Sequence, residues 1–209
     1  MKGVPSGVLT LYRINTSNGS WTPCGRIVDG VDPSLASITL DEQSSTAIRG
    51  ISGTENEPVW LPAPRAAFAR ACDALAHEAV AWIWPTQQSP ISDVPSLRSF
   101  LDARPNWRFL LDPVAMLTPE MLPRADDYLM RIFMAMGGRR ELGAVLICDA
   151  RVDDGQLVRV PLGEGCLPID AMVAAWRASG AGHAPVGVLT PADAQRLARA
   201  GHVPERSTL

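Results

Sequence analysis

From about residue 60 onward, short apolar runs alternate with segments whose apolar residues recur at helical spacing. The runs end at polar or helix-breaking residues, as strands do: Val80–Trp84, Trp107–Leu111, Gly143–Cys148 and Val186–Leu189. The helical segments cover residues 64–79, 94–103, 119–136, 169–178 and 191–200. Because strands joined by helical crossovers lie parallel, this pattern predicts a parallel sheet and an α/β fold.

The first 60 residues show strand-like alternation without a clear helix. Val8–Tyr12 and Ala36–Leu40 are candidate strands, and Ala47–Ile51 is a third. Residues 15–33 are rich in Gly, Ser, Asn, Asp and Pro, so we expect a long irregular loop there. The chain is thus interpreted as one domain over residues 1–209, with an irregular β-rich part over 1–60 and regular βα units over 61–200.

Seven candidate strands and at least four crossover helices fit either an open doubly wound sheet or a (β/α)8 barrel. A nucleotide-binding sheet of the first kind needs a glycine-rich turn after its first strand, and the glycines near the N-terminus do not form one. We therefore predict an α/β fold of the TIM (β/α)8 type, short and irregular in its N-terminal third. Because the N-terminal part is short, the prediction does not decide whether the barrel closes completely.

Composition excludes several functional classes. A net charge of −3 gives no basic surface for a phosphate backbone, so we predict no nucleic-acid partner. Lys2 is the only lysine, which excludes Schiff-base chemistry on an interior amine and a phosphate-binding P-loop. No stretch is apolar enough for a membrane span or a signal peptide, so we predict no membrane partner and a cytoplasmic location with free thiols on the four cysteines.

Candidate chemistry lies at the carboxyl ends of the predicted strands, where parallel α/β folds bind ligands. Asp112 and Asp149 each follow an apolar strand, and burial there would suit a carboxylate to acid or base work. Gln87 follows the strand that ends at Trp84 and is a candidate for binding substrate oxygens. Arg151 is a candidate for binding a phosphate or carboxylate, although a surface arginine fits the same position.

One loop resembles a known family. Pro161-Leu-Gly-Glu-Gly165 precedes a helix, then Gly180-Ala-Gly-His-Ala-Pro185, then the run Val186–Leu189. Over residues 78–200 this order is similar to that of the xylose-isomerase-like superfamily of TIM barrels, which includes sugar phosphate isomerases and epimerases and type-two AP endonucleases. The resemblance implies a sugar-like substrate and a divalent metal at the barrel mouth. An AP endonuclease is not expected, because the chain lacks a basic face for DNA.

The family's metal ligands are mostly replaced in this chain. Its glutamate after the fifth strand corresponds to Trp84, and its aspartate on the sixth strand is retained as Asp112. Two histidines of the family correspond to Ala115 and Leu146, and its last glutamate corresponds to Leu189. The aspartate after the seventh strand is retained as Asp149. One or two carboxylates bind a hard cation weakly, so we predict no metal and no cofactor. A divalent metal would be expected only if this alignment of strand ends is wrong.

Two further residues belong to the predicted site. Glu164 lies between Gly163 and Gly165, which allow the backbone to approach a ligand, although a role in the turn fits equally well. One of Trp82 and Trp84 is expected in the barrel interior or mouth. Trp84 there would either fill the core or form an aromatic platform for a sugar.

Three functions remain open at this stage. The first is a sugar (phosphate) isomerase or epimerase that works without metal, with Asp112 as general base, Asp149 as acid, and Arg151 or Gln87 orienting the substrate. The second is a non-catalytic barrel that binds a ligand or a partner. The third is a homo-oligomer subunit, because an incompletely closed barrel exposes sheet edges.

Overall fold

The computed structural model of the chain describes residues 8–14, 20–30, 34–49, 62–75, 77, 80–87 and 89–201. The strands described are β1 (Leu9–Ile14), β2 (Trp21–Asp29), β3 (Leu35–Leu40), β4 (Gln43–Ile48), β5 (Trp82–Ile83), β6 (Arg108–Leu111), β7 (Leu142–Leu146), β8 (Asp149–Asp153), β9 (Gln156–Val160) and β10 (Val186–Val188). The α-helices are α1 (Pro62–Leu75), α2 (Val94–Asp102), α3 (Ala125–Met136), α4 (Ile169–Ala178) and α5 (Pro191–Gly201). None of the described helices is long and apolar enough to cross a bilayer.

Eight of the strands close a barrel in the order β1-β10-β7-β6-β5-β4-β3-β2. Strands β1 to β4 pair antiparallel with one another, whereas β4, β5, β6, β7 and β10 pair parallel. The barrel closes where β1 pairs antiparallel with β10, with Thr10 opposite Val188. The sheet is therefore mixed and has no open edge in the described barrel.

The prediction of a TIM (β/α)8 barrel is wrong. In the described part of residues 9–48, no helix lies among β1 to β4, because antiparallel neighbours need only a turn and not a crossover. Asp41 and Glu42 form the two-residue turn between β3 and β4, and both have positive φ, at 48° and 69°. Strand β2 also lies in a segment that the sequence analysis assigned to a loop. The antiparallel strands of the short N-terminal part complete the sheet. The question of closure, which the sequence left undecided, is thus answered: the barrel is closed.

The barrel interior is packed with apolar side chains. Trp82, Trp84, Leu110, Ala144 and Leu146 form one buried cluster together with Leu11, Ile27, Ala36, Ile38 and Ala47. Residues that alternate with them, such as Ile83, Phe109 and Leu111, belong to a second cluster between the parallel strands and the helices. This alternation is what a strand with two buried faces produces. The barrel is consequently a filled core and not a channel.

Strands β8 and β9 form a separate hairpin outside the barrel. Asp154 and Gly155 make its turn, with φ values of 49° and 76°, as the Asp-Gly sequence favours. Asp153 pairs with Gln156 beside the turn, and Asp149 pairs with Val160 at the base. This hairpin was not among the predicted elements, although an Asp-Gly pair between Val152 and Leu157 is a direct signal for one.

Gly143 of β7 supports a prediction about interior packing. A Cβ at this position would overlap the six-membered ring of Trp82. We therefore expect Gly143→Ala to lower the free energy of unfolding by about 1 to 3 kcal/mol, as overpacking does. Urea unfolding measures this. Gly182→Ala is the control, because nothing lies within 4 Å of its added Cβ. In the double variant Gly143→Ala with Trp82→Phe, the free energy of unfolding should fall by less than the sum of the two single losses. A loss equal to that sum would contradict this explanation.

Candidate functional site

The parallel strands end together at what we call the carboxyl end of the barrel, defined by Arg49, Trp84, Asp112, Cys148 and Leu189. Each of these residues follows its strand within one or two positions. Strand β1 runs the opposite way, so its first residue, Leu9, lies at the same end. The sequence analysis located its candidate site at this end because strand ends of a parallel sheet bring polar residues together.

Asp112 lies at the centre of a polar cluster at the carboxyl end of the barrel. Its side chain is fully buried and forms an ion pair with Arg159 of β9. The indole N–H of Trp84 donates to Asp112 Oδ2 at 3.0 Å, and the amide of Ala115 donates to Oδ1 at 3.2 Å. These three donors hold the carboxylate and attach the hairpin β8–β9 to the barrel. Asp112 thus has the surroundings of a structural ion pair.

Two guanidinium groups lie against the indole ring of Trp84. The Cζ atom of Arg49 is 4.1 Å from the ring centroid, and that of Arg159 is 5.4 Å from it. Both distances allow cation–π attraction, and the indole itself is buried. Trp82 points into the barrel as well, because residues two apart on a strand face the same side. The expectation that only one of the two indoles does so was wrong.

Asp149 binds a loop and not Asp112. Its Oδ1 accepts from the amides of Ala150 at 2.7 Å and Leu167 at 2.9 Å. Its Oδ2 accepts from the amides of Gly163 and Gly165, both at 3.0 Å. Four backbone donors fill the acceptor positions of one buried carboxylate. Asp149 is thus bound by Ala150 and the loop over 163–167, whereas Asp112 is bound by Arg159, Trp84 and Ala115. A joint role of the two aspartates as acid and base stays a prediction.

The other predicted residues are dispersed. Gln87 donates from Nε2 to the carbonyl of Met116 at 2.7 Å, which ties two loops together. Arg151 is exposed. Arg159 pairs with Ala150, and successive residues of a strand face opposite sides, so Arg151 points to the face of the hairpin opposite to Arg159. Glu164 is exposed, and its amide donates to the carbonyl of Pro161 at 3.0 Å, in agreement with a role in the turn. Gln87 adjoins the Asp112 cluster, since its amide donates to the carbonyl of Ala115 at 2.8 Å. The hydrogen bonds of the described residues do not connect Arg151 or Glu164 to that cluster.

Little space remains beside this cluster. The gap that is lined by Arg159, Cys148 and five apolar residues has no volume in which a water molecule fits. Burial raises the pKa of the Cys148 thiol, and the nearby carboxylate of Asp112 raises it further. The thiol is therefore neutral and a poor nucleophile. Within the described residues, no group of His, Cys, Asp and Glu has the arrangement of a metal site.

Arg49 and Arg159 are the residues of this cluster that the sequence analysis missed. Arg159 could have been found from the Asp154-Gly155 turn, because hairpin pairing sets Arg159 beside Ala150 and turns it toward the barrel. Arg49 follows β4 directly, but the predicted strand over Ala47–Ile51 ran past it. Position 51 lies outside the described residues.

A groove is present between α4 and α5. We call it the α4–α5 groove, and it has a volume of about 220 Å³. Its apolar lining is Leu162, Ile169, Val173, Ala174 and Leu197, and its charged lining is Asp170, Arg177 and Arg196. The Nη1 atom of Arg196 donates to the carbonyl of Leu162 at 2.7 Å. None of these residues belongs to the site predicted from the sequence.

Comparisons of the chain with protein-family models, with curated proteins and with solved structures find no match. The resemblance to the xylose-isomerase-like superfamily therefore stays a prediction, and the fold that it implies is not the fold observed.

Proposed function

We propose that this protein is a non-catalytic barrel protein that binds a small, largely apolar molecule in the α4–α5 groove. The observation that carries the proposal is the groove volume of about 220 Å³ with its largely apolar lining, whereas the gap beside Arg159 and Cys148 at the barrel end, among the described residues, does not admit a water molecule. Buried apolar surface gives a ligand most of its binding free energy, and a few polar groups orient it. This choice develops the second of the three functions left open by the sequence.

The isomerase alternative has less support. A metal-free isomerase needs an acid and a base that face the same substrate atoms. Asp112 is engaged by Arg159 and Trp84, and Asp149 is engaged by four backbone amides. In the groove, arginine side chains do not release a proton at neutral pH, and Asp170 is exposed. A sugar-like ligand, a homo-oligomer and a cytoplasmic location stay predictions from the sequence.

The volume limits the size of the ligand. The groove volume of about 220 Å³ lies below the roughly 300 Å³ at which typical small-molecule and cofactor sites begin. A short aliphatic or single-ring compound is therefore the size of ligand that suits it. Such small ligands bind with a Kd near 1 mM or somewhat below, which nuclear magnetic resonance titration measures well.

A groove-filling variant tests the proposal. Ala174 lines the groove and is exposed, so Ala174→Phe should fill the groove without disturbing the core. With 1-hexanol and hexanoate as probes, we expect amide shift changes in the wild-type protein at Leu162 and along α4 and α5. Ala174→Phe should weaken binding of both probes at least tenfold.

The matched control is Ala171→Phe, because Ala171 is exposed on the same helix but does not line the groove. It should bind both probes as the wild-type protein does. Shift changes that map to other parts of the chain, or binding that Ala174→Phe leaves intact, would refute the proposed site.

A further inference from the structure

We infer that the ligand of the α4–α5 groove carries a carboxylate, bound by Arg177 and Arg196. This inference rests on the proposed function and adds the chemical class of the ligand. The charged lining consists of two guanidinium groups and the single carboxylate of Asp170, a formal excess of one positive charge. An apolar body with one anionic head complements such a surface in both hydrophobicity and charge.

Arg196 is held in place by the backbone of the loop before α4. Its Nη1 donates to the carbonyl of Leu162 at 2.7 Å. The guanidinium also packs against Gly163, where φ is +85° and a Cβ would overlap Nη1. Glycine at this position therefore allows the guanidinium to lie on the loop. A group that is already fixed loses little conformational entropy when it binds a ligand.

The positions of Arg177 and Asp170 give the groove a polarity. They lie seven residues apart on the same face of α4, which corresponds to roughly 10 Å along a helix. Asp170 is exposed at the start of the helix, whereas Arg177 is in its last turn. Neither Arg177 nor Arg196 forms an ion pair with a described residue. A carboxylate at the Arg177 end gains attraction there and avoids the repulsion of Asp170.

A small monocarboxylate suits the groove better than a phosphate ester. The volume of about 220 Å³ is bounded mainly by apolar side chains, which contribute nothing to the hydration of a doubly charged head group. A carboxylate matches the planar donor arrangement of a guanidinium and carries one charge. Short fatty acids and single-ring aromatic acids are therefore the ligand class.

The experiment compares hexanoate with 1-hexanol, which have the same chain length and differ in the head group. Titration of the ¹⁵N-labelled protein should show hexanoate binding about threefold to fivefold more tightly, as expected of a partly exposed charge interaction. Arg177→Gln should bring the affinity for hexanoate closer to that for hexanol, with Arg196 retaining part of the preference, and should leave hexanol binding unchanged. Raising the salt concentration should have a similar effect.

Arg199→Gln is the control, because Arg199 is exposed on α5 outside the groove lining. It should bind hexanoate as tightly as the wild-type protein does. Equal affinity for the two probes, or hexanoate binding that Arg177→Gln does not weaken, would overturn the carboxylate assignment while the groove remains a binding site. If neither probe binds in the groove, the proposed function fails together with this inference.

Discussion

Replacing Asp149 with alanine is expected to lower the free energy of unfolding by about 3 to 5 kcal/mol. The carboxylate accepts four backbone hydrogen bonds, and two of the donors belong to Ala150 and Leu167, which are buried. Each buried donor left without an acceptor costs about 1 to 3 kcal/mol. The amides of Gly163 and Gly165 belong to exposed residues, so water replaces part of what they lose. Urea unfolding followed by tryptophan fluorescence measures the change.

Amide hydrogen exchange over residues 163–167 separates this explanation from a general loss of packing. Exchange there should accelerate in Asp149→Ala by more than global destabilisation accounts for. Asp153→Ala is the matched control, because Asp153 is exposed on the same strand, and it should change the stability by less than about 0.5 kcal/mol. A loss below about 1 kcal/mol in Asp149→Ala would show that the loop does not depend on this carboxylate.

Arg159→Met is expected to cost about 3 kcal/mol. It removes the cation that pairs with Asp112, whose carboxylate is fully buried, while 22% of the arginine side chain is exposed. Breaking a buried pair from one side leaves an uncompensated charge, which costs about 3 to 5 kcal/mol, and the partial exposure of Arg159 favours the lower value. The indole N–H of Trp84 and the amide of Ala115 remain as donors. Urea unfolding again gives the result.

Arg151→Met serves as the control for Arg159→Met, because it changes the same residue type on the exposed face of the same hairpin. Its effect should be close to zero. The double variant Arg159→Met with Asp112→Asn should be more stable than Arg159→Met alone, since a neutral amide has a smaller desolvation cost than a carboxylate. Equal losses in Arg159→Met and Arg151→Met would exclude the ion pair as the element that holds the hairpin to the barrel.

The parallel half of the barrel could be predicted from the sequence because its signals are local. The run Trp107–Leu111 contains β6, and the run Gly143–Cys148 overlaps β7. Each run is short, apolar and bounded by a breaker, as strands buried on both faces are. Helix α4 coincides with its predicted span. These segments carry their own hydrophobic period, so no distant contact was needed to find them.

The antiparallel half could not be predicted in the same way. Strand β2 contains Pro23 and Gly25, which are poor strand residues, and it forms because β1 and β3 pair with it on both sides. The turn at Asp41 and Glu42 has positive φ without a glycine, so no residue there marks a hairpin. Extending the βα pattern of the second half into the first then led to the wrong barrel. Tertiary pairing outweighed local propensity in this part.

At the candidate site, the sequence identified buried acids but not their surroundings. Asp112 and Asp149 were singled out because each directly follows an apolar strand at the end where parallel α/β folds bind ligands, and both are buried. Their hydrogen-bond donors come from residues much later in the chain, such as Arg159 and Leu167. A carboxylate's role depends on those donors, and neither position nor residue type reveals them.

The closing pair of strands has a consequence for synthesis of the protein. Strand β1 pairs with β10, with Thr10 opposite Val188, so the last seam of the barrel needs a strand that leaves the ribosome long after β1. The antiparallel pairs β1–β2, β2–β3 and β3–β4 join strands that are neighbours along the chain, so these pairs can form while the rest is being made. During that interval the free edge of β1 is exposed to other strands. This order of assembly exposes nascent chains, and chains truncated before β10, to aggregation through β1. Pairing of β10 with β1 removes that hazard.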